Sequence, residues 1–119
     1  MLPPGEALAE AQRLLDEGMP FHAHEVLEAS WKSAPEAERD LWQGLAQLAV
    51  GMTHVLRGNR SGAAALLQRG RDRIAGYAAA PPHEIDVSGL VSWADGVLNQ
   101  LGDQAGQPAA VPVLRRSGC

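Results

Sequence analysis

An all-α fold, a single compact bundle of four to five helices built from antiparallel helix-turn-helix pairs, is the architecture this sequence predicts. Three observations carry that expectation. Leu41 to Leu56, LWQGLAQLAVGMTHVL, runs sixteen positions without an Asp, Glu, Lys or Arg, although 20% of the chain is charged. A helix apolar over that much of its circumference belongs in the middle of a bundle. Elsewhere apolar residues recur at intervals of three and four, the period of one helix face, and nothing in the chain has the signature of a β-hairpin. With 119 residues and 45% hydrophobic content, residues 1–101 suffice for one helical domain with a buried core.

The elements follow in order. Pro3-Pro4 stiffens the entry, and Glu6 to Glu17 forms a first helix with Leu8, Ala11, Leu14 and Leu15 on one face. Gly18 suits the position just past its end, and Pro20 suits the first turn of the next helix, Phe21 to Lys32. Ser33-Ala34-Pro35-Glu36 matches a capping box, so the third helix is expected to start there and run through the charge-free stretch to Arg57. In that stretch Leu41, Leu45, Leu48, Met52, Val55 and Leu56 share one side. Gly58-Asn59 ends it, and Asn59 or Ser61 caps a fourth helix with Ala63, Leu67, Gly70, Ile74 and Tyr77 in line. Ala80-Pro81-Pro82 closes that helix, and Asp86 caps a fifth, with Val87, Leu90, Val91, Ala94, Val97, Leu98 and Leu101 as its stripe. Residues 102–119, small or polar with two more prolines, are expected to be a flexible tail. Gly18-x-x-x-x-Ala23 and Gly58-x-x-x-x-Ala63 repeat one helix-stop-helix pattern 40 residues apart.

Charge and cysteine usage narrow the function. The net charge of −4 and pI near 5.5 give no overall electrostatic basis for binding nucleic acid or an anionic membrane. Residues 1–40 carry nine acids against three bases, whereas Arg57, Arg60, Arg69, Arg71 and Arg73 stand against Asp72 alone between 57 and 73. Opposite-sign surfaces on neighbouring helices explain that asymmetry, with an arginine patch for a phosphate or acidic partner as the alternative. The lone cysteine, Cys119, allows no internal disulfide, and no basic region leads an apolar run at the start, so a cytoplasmic location is expected. The apolar stretch is too short for a membrane span.

Chemistry concentrates in Phe21-His22-Ala23-His24-Glu25-Val26-Leu27-Glu28-Ala29-Ser30-Trp31. On a helical wheel Phe21, His24, Glu28 and Trp31 cluster, with Glu25 adjoining. Gln43, Gln47 and His54 form the polar stripe of the third helix, beside Gly44 and Gly51. The two stripes are expected to meet or to line one cleft, making His24, Glu25, Glu28, Trp31, Gln43, Gln47 and His54 the candidate site. Three readings stand. One is a structural hydrogen-bond network fixing helix register. A second is a divalent-metal site in which His24 and Glu28, one turn apart, combine with His54. The third is acid–base chemistry by a desolvated Glu25 or Glu28 with a raised pKa. A groove for a protein or small molecule is the remaining option. His22 points away from His24, and His83, in a proline loop, is expected to be solvated.

Taken together, Phe21-x-x-His24-Glu25-x-x-Glu28-x-x-Trp31, Gln43-Gly44-Leu45 and His54-x-x-x-Gly58-Asn59-x-x-Gly62-Ala63 resemble the small bacterial and archaeal helical proteins grouped as domain-of-unknown-function family 309. The resemblance covers roughly residues 6–80. It implies a compact helical domain and marks His24, Glu25, Glu28, Trp31, Gln43 and His54 as motif positions, but it implies no activity. The functional expectation is a binding or interaction module. The alternative is a metal-dependent hydrolase or lyase using His24, Glu28 and His54, with Glu25 as general base.

Overall fold

Five helices, joined by short turns that reverse the chain, stack so that each packs against its neighbours in sequence. A computed structural model describes residues 2–103 and 111–115. The helices are α1 (Pro4–Asp16), α2 (Pro20–Ser33), α3 (Arg39–Leu56), α4 (Arg60–Ala75) and α5 (Val87–Asp103). Among the described residues there is no strand, only an isolated antiparallel bridge between Ile85 and Arg115. The fold is an all-α bundle, as the hydrophobic periodicity requires. α3 lies at its centre, packed on α2 along one side and most extensively on α4 along another. Leu41, Trp42, Leu45, Leu48 and Ala49 from α3 meet Leu8 and Leu15 of α1, Leu27 of α2, Leu67 and Ile74 of α4 and Leu90 of α5 in one core.

Helix ends follow local chemistry closely at the two glycine stops. Gly18 (φ 77°) and Gly58 (φ 75°) both take the left-handed conformation that a side chain resists. After each, the backbone closes the same way: Met19 N–H donates to Leu14 O at 2.8 Å and Asn59 N–H to His54 O at 2.9 Å. The paired inner bonds, Gly18 to Leu15 and Gly58 to Val55, are both 3.1 Å, which completes a Schellman motif at each site. The 40-residue repeat is therefore one turn built twice. Asn59 and Asp86 cap α4 and α5 by accepting from Gly62 N and Gly89 N, each at 3.1 Å.

The start of α3 departs from expectation. Ser33 does not open it; its hydroxyl donates back to Ala29 O and Ser30 O, finishing α2. Pro35 holds Ala34 extended (ψ 152°), so a 3-10 turn over Glu36–Glu38 intervenes and α3 begins at Arg39. Leu56, placed on the apolar side, is exposed.

The carboxyl-terminal region also differs. The expected tail from residue 102 begins inside α5, which reaches Asp103, and residues 111–115 are seated on the bundle. Leu114 O accepts from Asp86 N at 2.9 Å. Gln12 Nε2 donates to Pro112 O at 3.0 Å, and Leu114 N donates to Gln12 Oε1 at 2.9 Å. Pro112 and Leu114 are buried while Val111, Val113 and Arg115 are exposed, the alternation of an extended segment. Residues 104–110 and 116–119 lie outside the described part of the chain.

Gly44 and Gly70 set the α3–α4 spacing. A Cβ on Gly70 would stand 2.8 Å from Gly44 O, and one on Gly44 would stand 2.5 Å from Ile74 Cγ2. Backbone cannot swing aside as a side chain can, so Gly70→Ala is expected to cost about 1–3 kcal/mol in overpacking, offset by roughly 1 kcal/mol of helix propensity. Gly96→Ala, at an α5 position with nothing within 4 Å, is expected to stabilise by about 0.5–1 kcal/mol. Urea unfolding of the two variants checks the contrast: equal effects of the same sign would remove the close approach.

Candidate functional site

The outer edge of α2 carries the first sequence motif. Ala23, Leu27 and Ser30 are buried on its inner side, Trp31 packs half-buried against the core, and Glu25 is exposed. His24 and Glu28, one turn apart, pair at 2.8 Å (Nε2 to Oε2), and Lys32 a turn further on reaches Glu28 Oε1 at 3.1 Å. The Phe21 ring lies over His24, centroids 5.5 Å apart and tilted by 49°, and 46% of Phe21 is exposed. His22, exposed, meets the same ring edge-on at 6.4 Å. His24 Nδ1 is buried with no hydrogen-bond partner among the described residues.

Glu28 titrates below the ordinary carboxyl value of 4.5: the Lys32 hydrogen bond lowers it most, desolvation opposes, and the charges of Lys32 and His24 add to the lowering. That is opposite to the raised pKa required of a protonated acid at neutral pH. The direction follows from placing the carboxylate beside the Lys32 ammonium at the surface rather than inside an apolar pocket.

The polar stripe of α3 does not face this edge. Gly44 and Gly51 lie against Ile74 and Leu67 of α4, and that contact turns Gln47 toward α4 as well. Gln47 Oε1 accepts from Arg73 Nε at 3.2 Å, and Arg73 Nη1 also pairs with Asp40 at 2.8 Å. His54 Nδ1 accepts from Asn59 Nδ2 at 3.2 Å, inside the α3–α4 turn. Gln43 is half-buried on α3. The expected cluster of Gln47 and His54 with His24, Glu25 and Glu28 is thus corrected to two separate sets. Among the described residues no three His, Cys, Asp or Glu side chains are grouped to hold a metal ion, so His24, Glu28 and His54 do not form the expected ligand set.

The second motif, His54-x-x-x-Gly58-Asn59-x-x-Gly62, is accounted for by that turn. Gly58 supplies the left-handed backbone, Asn59 Oδ1 caps Gly62 N, and Asn59 Nδ2 holds His54. A Cβ on Gly62 would stand 2.6 Å from Asn59 Nδ2. The arginine cluster is likewise largely engaged: Arg71 pairs with Asp95 at 2.7 Å, Arg73 with Asp40, and Arg60 Nη1 donates to Leu101 O at 3.3 Å.

A third set joins Glu38, Trp42 and His83. Trp42, buried in the core, donates Nε1 to Glu38 Oε1 at 3.2 Å, and His83 Nε2 lies 2.8 Å from the same oxygen. The His83 and Trp42 rings are 5.9 Å apart, so His83 is paired rather than solvated. His83 and Glu84 hold φ of 57° and 60°, a left-handed pair that non-glycine residues adopt at a cost. Tyr77 OH, donating to Ala37 O at 2.7 Å, fastens the same two loops. The Glu38–Trp42 spacing of four, one turn from the residue preceding α3 to its first turn, was a usable signal. His83, 45 residues away, offered none. Beside Glu38 and Trp42 lies a pocket of about 280 Å³, walled by Ser30, Ser33 and Pro3.

Residues 8–66 match the family described as Domain of unknown function (DUF309). Over this stretch the chain is similar to that family. The match takes in both motifs, the α2 edge and the α3–α4 turn, while the Glu38–His83 contact joins the DUF309 region to a loop beyond it. No curated protein and no solved structure matches the chain significantly.

Glu38 gives a pH test. Desolvation raises its pKa, and the hydrogen bonds from His83 and Trp42 together outweigh that, leaving it below the ordinary 4.5. A carboxyl depressed in the folded state contributes stability above its unfolded pKa and loses it as pH falls through the folded value. Glu38→Gln is therefore expected to be less stable than the parent by about 1–3 kcal/mol above pH 4.5. Denaturant melts at stepped pH should show the gap narrowing below that value; a gap constant down to acid pH would contradict the assignment.

Proposed function

We propose that this helical domain is a protein-binding module that uses the outer edge of α2, Phe21, His24, Glu25 and Glu28, as its contact surface. The supporting observation is the Phe21 ring, 46% exposed on a regular helix and braced by His24 rather than buried. Large exposed aromatics flanked by ordered polar groups are the usual anchors of protein interfaces. His24, Glu28 and Lys32 are already held in place by the ladder of pairs along the helix, so little side-chain freedom is lost on binding. The edge presents Glu25 and Glu28 beside the ring, which fits an apolar pocket rimmed by basic side chains on the partner. The lone cysteine of the sequence supports a reducing compartment such as the cytoplasm for this role. No helix among the described residues is long and apolar enough to cross a membrane.

The test has two arms. Phe21→Ser is expected to leave unfolding stability within about 0.5 kcal/mol of the parent, as for other exposed positions. A photo-crosslinking residue at position 21 is expected to give one discrete adduct in cells that disappears with Glu25→Lys plus Glu28→Lys, and none when placed at exposed Ser92 on α5. A stability loss above ~1 kcal/mol for Phe21→Ser would make the ring structural, and absence of a discrete adduct would sink the binding role.

A further inference from the structure

The seat of residues 111–115 has the features of a peptide-recognition site. Gln12, on α1, uses its side-chain amide at both ends on the segment's backbone, donating to Pro112 O at 3.0 Å and accepting from Leu114 N at 2.9 Å. Asp16 accepts from the same Nε2 at 3.0 Å and so fixes the orientation of the amide. A third backbone bond comes from Asp86 N to Leu114 O. Main-chain contacts of this kind read an extended conformation, and pockets for alternate side chains supply selectivity. Here those side chains are Pro112 and Leu114, both buried. The segment does not fill its seat: a groove of about 620 Å³ remains between Leu8, Ala9, Gln12 and Asp16 on one side and Val113 and Leu114 on the other.

We infer that this groove is a binding site for extended peptide segments of the pattern Pro-x-Leu on a protein partner. The chain's own residues 112–115 occupy it as an intramolecular competitor. The chemistry of the occupant is set by what is seated there, namely an extended backbone for Gln12 and Asp86 and a Pro and a Leu two positions apart. The volume left open admits a ligand with more apolar bulk at the intervening position than Val113. This site is on α1 and the Ile85–Asp86 turn, so it stands independently of the α2 edge. A tethered competitor acts at an effective concentration in the millimolar range, so a free peptide must be in excess to displace it.

The experiment uses the full chain and a fluorescent peptide Ala-Val-Pro-Val-Leu-Arg-Arg. Leu114→Asp loosens the resident segment, and this variant is expected to bind the peptide at least roughly tenfold more tightly than the unaltered chain. Adding Gln12→Ala should weaken binding by roughly tenfold, since it removes both amide contacts. A peptide with Asp in place of its Leu should not bind. Equal binding by the parent and Leu114→Asp, or by the Leu and Asp peptides, would overturn the inference. The unaltered chain, labelled with ¹⁵N, supplies a second reading that needs no variant. Excess unlabelled peptide should shift the backbone resonances of Leu114 and Asp86, and no shift at millimolar peptide would equally overturn it.

Discussion

The backbones of α3 and α4 touch at Gly44 and Gly70, and the rest of the arrangement depends on that contact. A Cβ on Gly70 would meet the Gly44 carbonyl at 2.8 Å, so only two glycines allow the helices this close. The approach fixes which way α3 faces. Gly44 and Gly51 lie toward Ile74 and Leu67, and the residues beside them, Gln47 and His54, turn to Arg73 and to the α3–α4 turn. The opposite side of α3 buries Leu41, Trp42 and Leu45 in the shared core. A helix with so little charge has few other constraints on its rotation. Glycine packing decides it.

Gln47 and His54 of α3 are engaged by Arg73 and Asn59 rather than by the α2 edge. His24, Glu28 and Lys32 satisfy one another along their own helix, and Phe21 stays half in solvent. The two motifs therefore do different work. The histidine–glutamate motif leaves an ordered, acidic and aromatic surface, whereas His54, Gly58, Asn59 and Gly62 close a turn. The loop fastened by Glu38, Trp42 and His83 extends the same economy, since a buried indole N–H must find an acceptor and Glu38 is the carboxylate within reach. Surface ion pairs such as Arg13 with Glu10 and Glu17 add little to stability in comparison.

Much of the fold was legible because helix ends obey local rules. Gly18, Pro20, Gly58, Asn59 and Asp86 each announced a stop or a start that the structure keeps. The capping box at Ser33 failed because a proline two residues on outweighed it. The rotation of α3 was not legible: leucines, alanines and glycines surround most of its circumference, so the pattern carries weak direction, and glycines suit close contact with either neighbour. The pairing of His24 with Glu28 follows from their spacing on α2, whereas the partners expected for Gln47 and His54 lay on the wrong helix. His83 depends on a contact 45 residues distant and on left-handed backbone that no residue type there signals. Residues 111–115, Val-Pro-Val-Leu-Arg, are too short a run and too uniformly apolar for an alternating pattern to register, yet Pro112 and Leu114 bury on alternate positions.

The separation of the α2 edge from the α3 polar stripe is tested most directly by double-mutant cycles. Coupling between Glu28→Ala and His54→Ala is predicted to lie within about 0.3–0.5 kcal/mol of zero, as for sites that share no partner. Coupling between Gln47→Ala and Arg73→Ala, whose side chains are hydrogen-bonded, is predicted to be about 0.5–1.5 kcal/mol. A Glu28–His54 coupling above that range, with none between Gln47 and Arg73, would place the α3 stripe against α2 and contradict the arrangement.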